Sequence, residues 1–345
     1  MKNTLRIVSL VLTAVMLFSL TACAGRNQTW AVEVDGEQIP VGLYLYYQFN
    51  AYQQASSLAA DADTAVLKQK IEDQDAGLWI HQKTIDYCRK NIATEREFER
   101  LEMTLSETDL SYIDSMVTYI LSYYGEVFEK NGIGEESVRK ACTTDQKTSA
   151  LFYKYYGTDG LEAVSETELM SYYTENYAVA YMLGTTLTPM EDEDEQKARD
   201  EKARAAANNA VESIQAGKGI AETAAQMSKE LDETTQTDET LDDSAYLSVV
   251  KKDDTGYPEA LREQVFKAAV DVPLIYDQDS HLLVYVRKDA ASQTDVFESL
   301  KNTILQTLKG DEFSAKLAEM ANALAVNENA SAVSYYSASK IKDFE

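Results

Sequence analysis

Few residues in this chain could do metal or sulfur chemistry. Only two histidines, His81 and His281, and three cysteines, Cys23, Cys88 and Cys142, occur in 345 residues. There is no CxxC pair, no histidine-rich cluster and no suggestive Ser/His/Asp set. Metal-assisted hydrolysis and triad catalysis therefore find little support, and neither a metal nor a cofactor is expected. Cys88 falls on an apolar helical face with Leu78, Ile85 and Ile92, where a lone cysteine acts as a small hydrophobe. Outside the cytoplasm Cys88 and Cys142 could instead pair as a disulfide; two buried free thiols are the favoured state. The acidic run Glu191 to Glu195 reads as favourable charge at a helix N-terminus. A calcium site is the weaker reading, because the carboxylates lack loop spacing.

The third cysteine has another use. Lys2 and Arg6 give the chain a positive start, Ile7 to Leu20 carries no charge, and Leu20-Thr21-Ala22-Cys23 follows with small residues. That is a secretory signal, and its apolar run is too short for a comfortable membrane span. The ending resembles a bacterial lipobox, which implies a mature chain that starts at Cys23 and carries acyl groups there. Two acyl chains hold a protein stably on a membrane. The expected location is the extracytoplasmic face of the cell membrane.

Removal of residues 1–22 leaves about 320, enough for two or three domains. With 45% hydrophobic residues the chain can bury a sizeable core. The net charge of −26 excludes a nucleic-acid binder and predicts repulsion from anionic lipid, so Cys23 and not a basic patch is the expected tether. The 22 tyrosines suit partly wet clefts and interfaces, or reflect a compositional habit of the source.

The elements expected to position these residues come in three blocks. Residues 24–29 form a short tether. Trp30 to Ile39 alternates around Asp35-Gly36 as a hairpin. Pro40 opens a helix with Val41, Tyr44, Leu45, Phe49 and Tyr52 on one face. Further helices are expected over 63–74, 76–104, 107–130 (after a Ser106/Asp109 capping signal) and 135–156, with no strand in 40–156. After a short helix ending at Asn176, Tyr177 to Thr186 is the first convincing strand. An alanine-rich helix to Ala216-Gly217, a helix over Ile220 to Lys229 and a polar loop over 232–244 follow. Then come a strand at Ala245 to Val250, a helix at Pro258 to Ala269, and strands at Leu274 to Tyr276 and His281 to Arg287. Thr294 to Ala325 is helical again, and a tail carries a candidate strand at Val333–Tyr336.

This layout resembles the lipid-anchored parvulin-type foldases of the PrsA/SurA group. Val32-Glu33-Val34-Asp35-Gly36-Glu37-Gln38-Ile39 is similar to the opening hairpin of that family. Ser165-Glu166-Thr167-Glu168-Leu169 with Tyr172 to Asn176 looks like its helix into the isomerase module. Ala216 to Ile220 with Ala224 to Ser228 and the strand Ser280 to Val286 resemble later family stretches. The resemblance implies a mostly helical α+β fold: a signal at 1–22, a tether at 23–29, and a helical chaperone domain at 30–176. A parvulin-like antiparallel-sheet module at 177–289, a returning helix at 290–326 and a tail at 327–345 complete it.

The departures fall at the expected catalytic places. Tyr181 stands where active parvulins carry a histidine, Leu241 to Ala245 replaces a Gly-Gly-Asp-Leu-Gly turn, and Ser280 replaces a glycine, whereas His281 and Phe266 are kept. An X-Pro bond turns over a barrier of about 18–20 kcal/mol, and an isomerase lowers it by favouring the twisted amide in an apolar cup. Any such catalysis would use Tyr181 and His281 as the polar pair and Met182, Leu261 and Phe266 as the cup. A chaperone needs only a broad apolar cleft for unfolded secreted polypeptides. Tyr44, Tyr46, Tyr47, Phe49, Tyr52, Tyr119, Tyr123 and Tyr124 are its candidate wall. A chaperone with weak or lost isomerase activity is the favoured reading. A solute-binding lipoprotein of a transporter, or an adaptor lipoprotein serving one protein partner, is the alternative.

Overall fold

The computed structural model describes residues 29–232, 242–278 and 280–342. The expectations placed on the signal segment, on Cys23 and on Leu241 lie outside them. The chain is α+β and mostly helical, and every strand pairing among the described residues is antiparallel. A transporter lobe of βαβ units needs parallel strands, so that alternative fails on topology. Two compact units are present, one running through Ala163 and resuming at Lys309, the other spanning Val164–Leu308.

The first unit starts with β1 (Trp30–Val34) and β2 (Glu37–Pro40). They are joined through Asp35 and Gly36, both at positive φ (50° and 91°), as a two-residue turn of matching twist requires. Arg96 binds the turn from outside through Asp35, and through Glu37 at 2.9 Å. Helices α1 (Val41–Leu58), α2 (Ala76–Arg100), α3 (Glu107–Asn131) and α4 (Glu135–Tyr156) follow. Ser106 and Asp109 form a reciprocal capping box at the start of α3, and left-handed Gly132 ends it. The core is aromatic. Phe128 meets the edges of Phe49 and Tyr46 at 5.0 and 5.8 Å, and Cys88 and Cys142 are buried as free thiols in the same cluster.

Two expectations fail here. Residues 63–74 were expected as a helix, and 40–156 to hold no strand. Instead a single 3-10 turn, Val66–Lys68, leads to a hairpin of β3 (Lys70–Ile71) and β4 (Gln74–Asp75). The cause is local competition for the backbone. Asp61 accepts from Asp63 N and the Thr64 hydroxyl at 2.9 and 2.7 Å, and the Gln69 amide donates to the Asp61 and Thr64 carbonyls. The expected strand at Val333–Tyr336 is also corrected. The strand, β9 (Val326–Glu328), comes earlier and pairs with β1, and Ala330–Tyr335 is a helix begun by the Asn329 side chain.

The second unit holds α5 (Glu166–Asn176), β5 (Tyr177–Thr186), α6 (Glu193–Gln215) and α7 (Ile220–Leu231), then β6 (Leu247–Lys251), α8 (Glu259–Lys267), β7 (Pro273–Gln278) and β8 (His281–Lys288). Helix α9 (Thr294–Asn322) starts in this unit and ends in the first. Sequence placed α5 in the helical frame, but Tyr173 packs on Tyr177 at 5.8 Å and on Phe297 at 5.5 Å, which groups it with the sheet. The four strands run in the order β6-β5-β8-β7. One face lies under the alanine-rich α6 and α7, where Ala203, Ala206, Ala207 and Ala210 let the helix approach Leu183, Leu282, Val284 and Val286. The other lies under α8, with Leu261 and Val265 against Ala178, Ala180, Tyr276 and Tyr285. Asp192 starts α6 by accepting from Asp194 N and Glu195 N, so the acidic run is a helix start.

Candidate functional site

The proposed catalytic pair can be located by strand register. In the β5–β8 ladder Tyr181 stands opposite Val286, and His281 stands opposite Thr186. Five residue steps separate the two positions, roughly 17 Å at about 3.4 Å per residue. Their faces also differ. Tyr181 packs with Leu183 and Val286 on the α6/α7 side. His281 shares the alternation of Leu283 and Tyr285, which pack on the α8 side. The expectation that Tyr181 and His281 jointly face one carbonyl is therefore corrected: the sheet lies between them. Tyr181 has its own neighbour in Lys288, whose ammonium stands 5.8 Å from the ring while pairing with Asp271.

The cup residues do come together. Met182, Leu261 and Phe266 belong to one cluster on the α8 face, with Tyr276 and Tyr285. Leu261 is fully buried and serves the core, whereas Met182 and Phe266 keep part of their surface. Arg287 fixes the end of α8 by donating to the Phe266 and Ala268 carbonyls at 2.8 and 3.0 Å, and Lys252 stands 5.8 Å from the Phe266 ring. The segment replacing the glycine turn has structural work. Asp242 accepts from Ser244 N at 2.9 Å, and Asp243 reaches across to accept from Ala221 N at 2.8 Å. That carboxylate caps α7, whose N-cap Gly219 has no side chain to do so.

In the first unit the candidate wall separates into two groups. Tyr44, Tyr46, Tyr47, Phe49 and Tyr52 are buried core residues of α1. Burial holds the Tyr44 and Tyr47 hydroxyls well above the ordinary phenol range and pushes that of Tyr46 up to about 12. These five cannot meet a ligand without unfolding, so the expectation that they line a cleft is corrected. Tyr119 and Tyr123 are exposed, at 57% and 69%, with ring centroids 4.9 Å apart. Tyr124 is partly exposed and stacks on Phe128.

The periodicity of α3 accounts for this split. Ile113, Val117 and Phe128 face the core, while Tyr112, Met116, Tyr119 and Tyr123 form a neighbouring ridge at i, i+4, i+7 and i+11. Beside that ridge a groove of about 540 Å³ opens between α3 and α4. Ile113, Met116 and Ile120 give it an apolar floor, and Cys142, Asp145, Gln146 and Ser149 line its α4 side. Asp109 at its mouth is occupied, accepting from Gln146 at 2.6 Å and from Ser106 at 2.7 Å. Sequence reasoning named Tyr119 and Tyr123 of this ridge but missed Tyr112, and it missed Asp145, which carries no motif. Its signal would have been an acid three residues after Cys142 on the same amphipathic helix.

The remaining chemistry-bearing residues are structural. His81 Nε2 lies 3.2 Å from Glu328 and ties α2 to β9. Among the described residues no group of three His, Cys, Asp or Glu side chains could hold a metal, and no helix is long and apolar enough to cross a membrane.

A helical unit joined to a four-stranded antiparallel module flanked by helices defines the class of fold. No protein-family model and no curated protein matches the sequence. Among solved structures, the chain is similar to the foldase protein PrsA of Streptococcus pneumoniae, at 17% identity and a TM-score of 0.36 over 70% of this chain and 84% of that one. It is likewise similar to the foldase protein PrsA of Lactococcus lactis, at 14% identity and a TM-score of 0.36 over 89% of this chain and 99% of that one. At these values the likeness supplies no residue role.

Proposed function

We propose that this protein is an extracytoplasmic, lipid-anchored chaperone that holds unfolded secreted polypeptides, with peptidyl-prolyl isomerase activity weak or lost. The exposed rings of Tyr112, Tyr119 and Tyr123, with half-buried Met116 between them, beside the apolar α3/α4 groove carry this reading. A contiguous exposed apolar patch marks an interaction surface on a soluble unit. Tyrosine suits it, since each ring offers area at low entropic cost and keeps a wet hydroxyl. A holdase needs such area spread over many side chains, and no nucleophile. An isomerase needs polar groups converging on one carbonyl, where a 1 Å misplacement can cost about 10²-fold. Tyr181 and His281, on opposite faces of the sheet, do not meet that need.

Two assays on one preparation test the proposal. Suppression of client aggregation is expected without acceleration of a proline-limited refolding reaction. Tyr119→Ser combined with Tyr123→Ser should weaken suppression several-fold and leave the unfolding transition nearly unchanged, because both rings are on the surface. A clear refolding acceleration that disappears in His281→Ala would restore the enzyme reading. Suppression unaffected by the double substitution would move the client surface elsewhere.

A further inference from the structure

One carboxylate in the α3/α4 groove is not needed by the fold. Asp145 lines the groove on α4, and no hydrogen bond or ion pair engages it among the described residues. The other groove acid, Asp109, is committed to Gln146 and to the capping box. Lys90 on α2 acts on Asp145 without pairing with it, and Tyr46 and Tyr47 on α1 feel its charge. The Asp145 side chain is open to solvent in the groove, yet the protein atoms around it partly desolvate the carboxyl and hold it above the usual carboxylate range. An anion in that position gains from a cation brought to it.

We infer that the groove selects client segments carrying a lysine or arginine within an apolar stretch, the long methylene stem lying on Ile113, Met116 and Ile120 and the charged head reaching Asp145. This rests on the chaperone reading and specifies its substrate. Lys and Arg bury their stems along apolar surface while the head seeks a partner, which is the chemistry the groove offers end to end. The net charge of −26 draws basic segments from a distance and repels acidic ones, so the long-range field and the local site agree. A purely apolar segment fills the floor and leaves Asp145 unpaired.

The test compares two fluorescent heptapeptides that differ only at the centre, one with lysine and one with N-acetyl-lysine. Acetylation keeps the stem and removes the charge. At low salt the lysine peptide should bind about three- to tenfold more tightly, as a partly exposed charge pair allows, and the preference should shrink as salt is raised. Asp145→Asn should abolish the preference, bringing the lysine peptide to the affinity of the acetylated one. Since Asp145 makes no hydrogen bond, the variant is expected to keep its fold, checked by its unfolding transition. Equal binding of the two peptides, or a preference that survives in Asp145→Asn, overturns the inference and leaves the chaperone reading standing. If neither peptide binds and aggregation is not suppressed, the chaperone reading falls and takes the inference with it.

Discussion

Two carboxylates of the first unit show how placement sets the sign of an electrostatic effect. Glu97 accepts from Arg100 at 2.7 Å through both oxygens and from the Tyr155 hydroxyl at 2.5 Å. The Arg100 bonds hold its carboxyl below the usual range, so it stabilises the fold above the ordinary carboxylate pKa and loses that contribution as pH falls. Asp145 has the opposite sign. Partial desolvation in the open groove raises its carboxyl, so the folded state holds the proton more tightly than the unfolded chain does. Its contribution is most favourable below about pH 4, the unfolded value, and is lost as pH rises through the raised folded value. At neutral pH it is a net cost, moderated by the water that still reaches the side chain. Asp145→Asn is therefore expected to raise the melting temperature slightly at pH 7, with the gain vanishing near pH 4. Thermal unfolding followed at several pH values checks this, and a gain independent of pH would mean that the charge is not its cause.

Among the elements, β5 and β8 approach closely at one glycine. Gly184 lies opposite Leu283, and a Cβ built on it would stand 2.2 Å from the Leu282 carbonyl oxygen. Gly184→Ala should therefore spread the ladder and cost about 1–3 kcal/mol, the range for forced overpacking. Chemical denaturation read by circular dichroism measures it, and a variant as stable as the parent would show that the strands separate freely. Elements with strong periodicity were legible in the sequence: α2, α3 and α4 from their apolar spacing, and the β1–β2 turn from Asp35-Gly36. The hairpin at 70–75 was not, because two-residue strands have no period to read and the turn is set by Glu72 and Asp73 at positive φ, without glycine. Faces were harder still. The helix at Val41 showed its aromatics, but sequence could not say that α2, α3 and α4 would surround them, so buried Tyr44 and exposed Tyr123 looked alike. The sheet misled for a related reason. Tyr181 and His281 each sat on a strand of the expected type, yet pairing register and parity are settled only when β5 meets β8.

For the whole molecule, the proposed membrane location raises the question of what would hold so acidic a chain at a surface. A net charge of −26 is repelled by anionic lipid, and no helix among the described residues could span a bilayer. Electrostatic adsorption is therefore a poor tether, and the proposed anchoring calls for an apolar attachment. Cys23, behind Leu20-Thr21-Ala22, is the proposed point of attachment, and two acyl chains there would suffice. Screening at physiological salt confines the repulsion from anionic lipid to about 8 Å, so it would not oppose such an anchor. Cys23→Ser should remove the lipid from the N-terminal peptide, read by its mass. Because an uncut apolar segment could itself retain that variant, a second form carries a cleavable, cysteine-free signal in place of residues 1–23. It should appear wholly in the soluble fraction at both low and high salt, with aggregation suppression intact. Continued membrane retention of that second form would place the anchor elsewhere in the chain and remove Cys23 from the account.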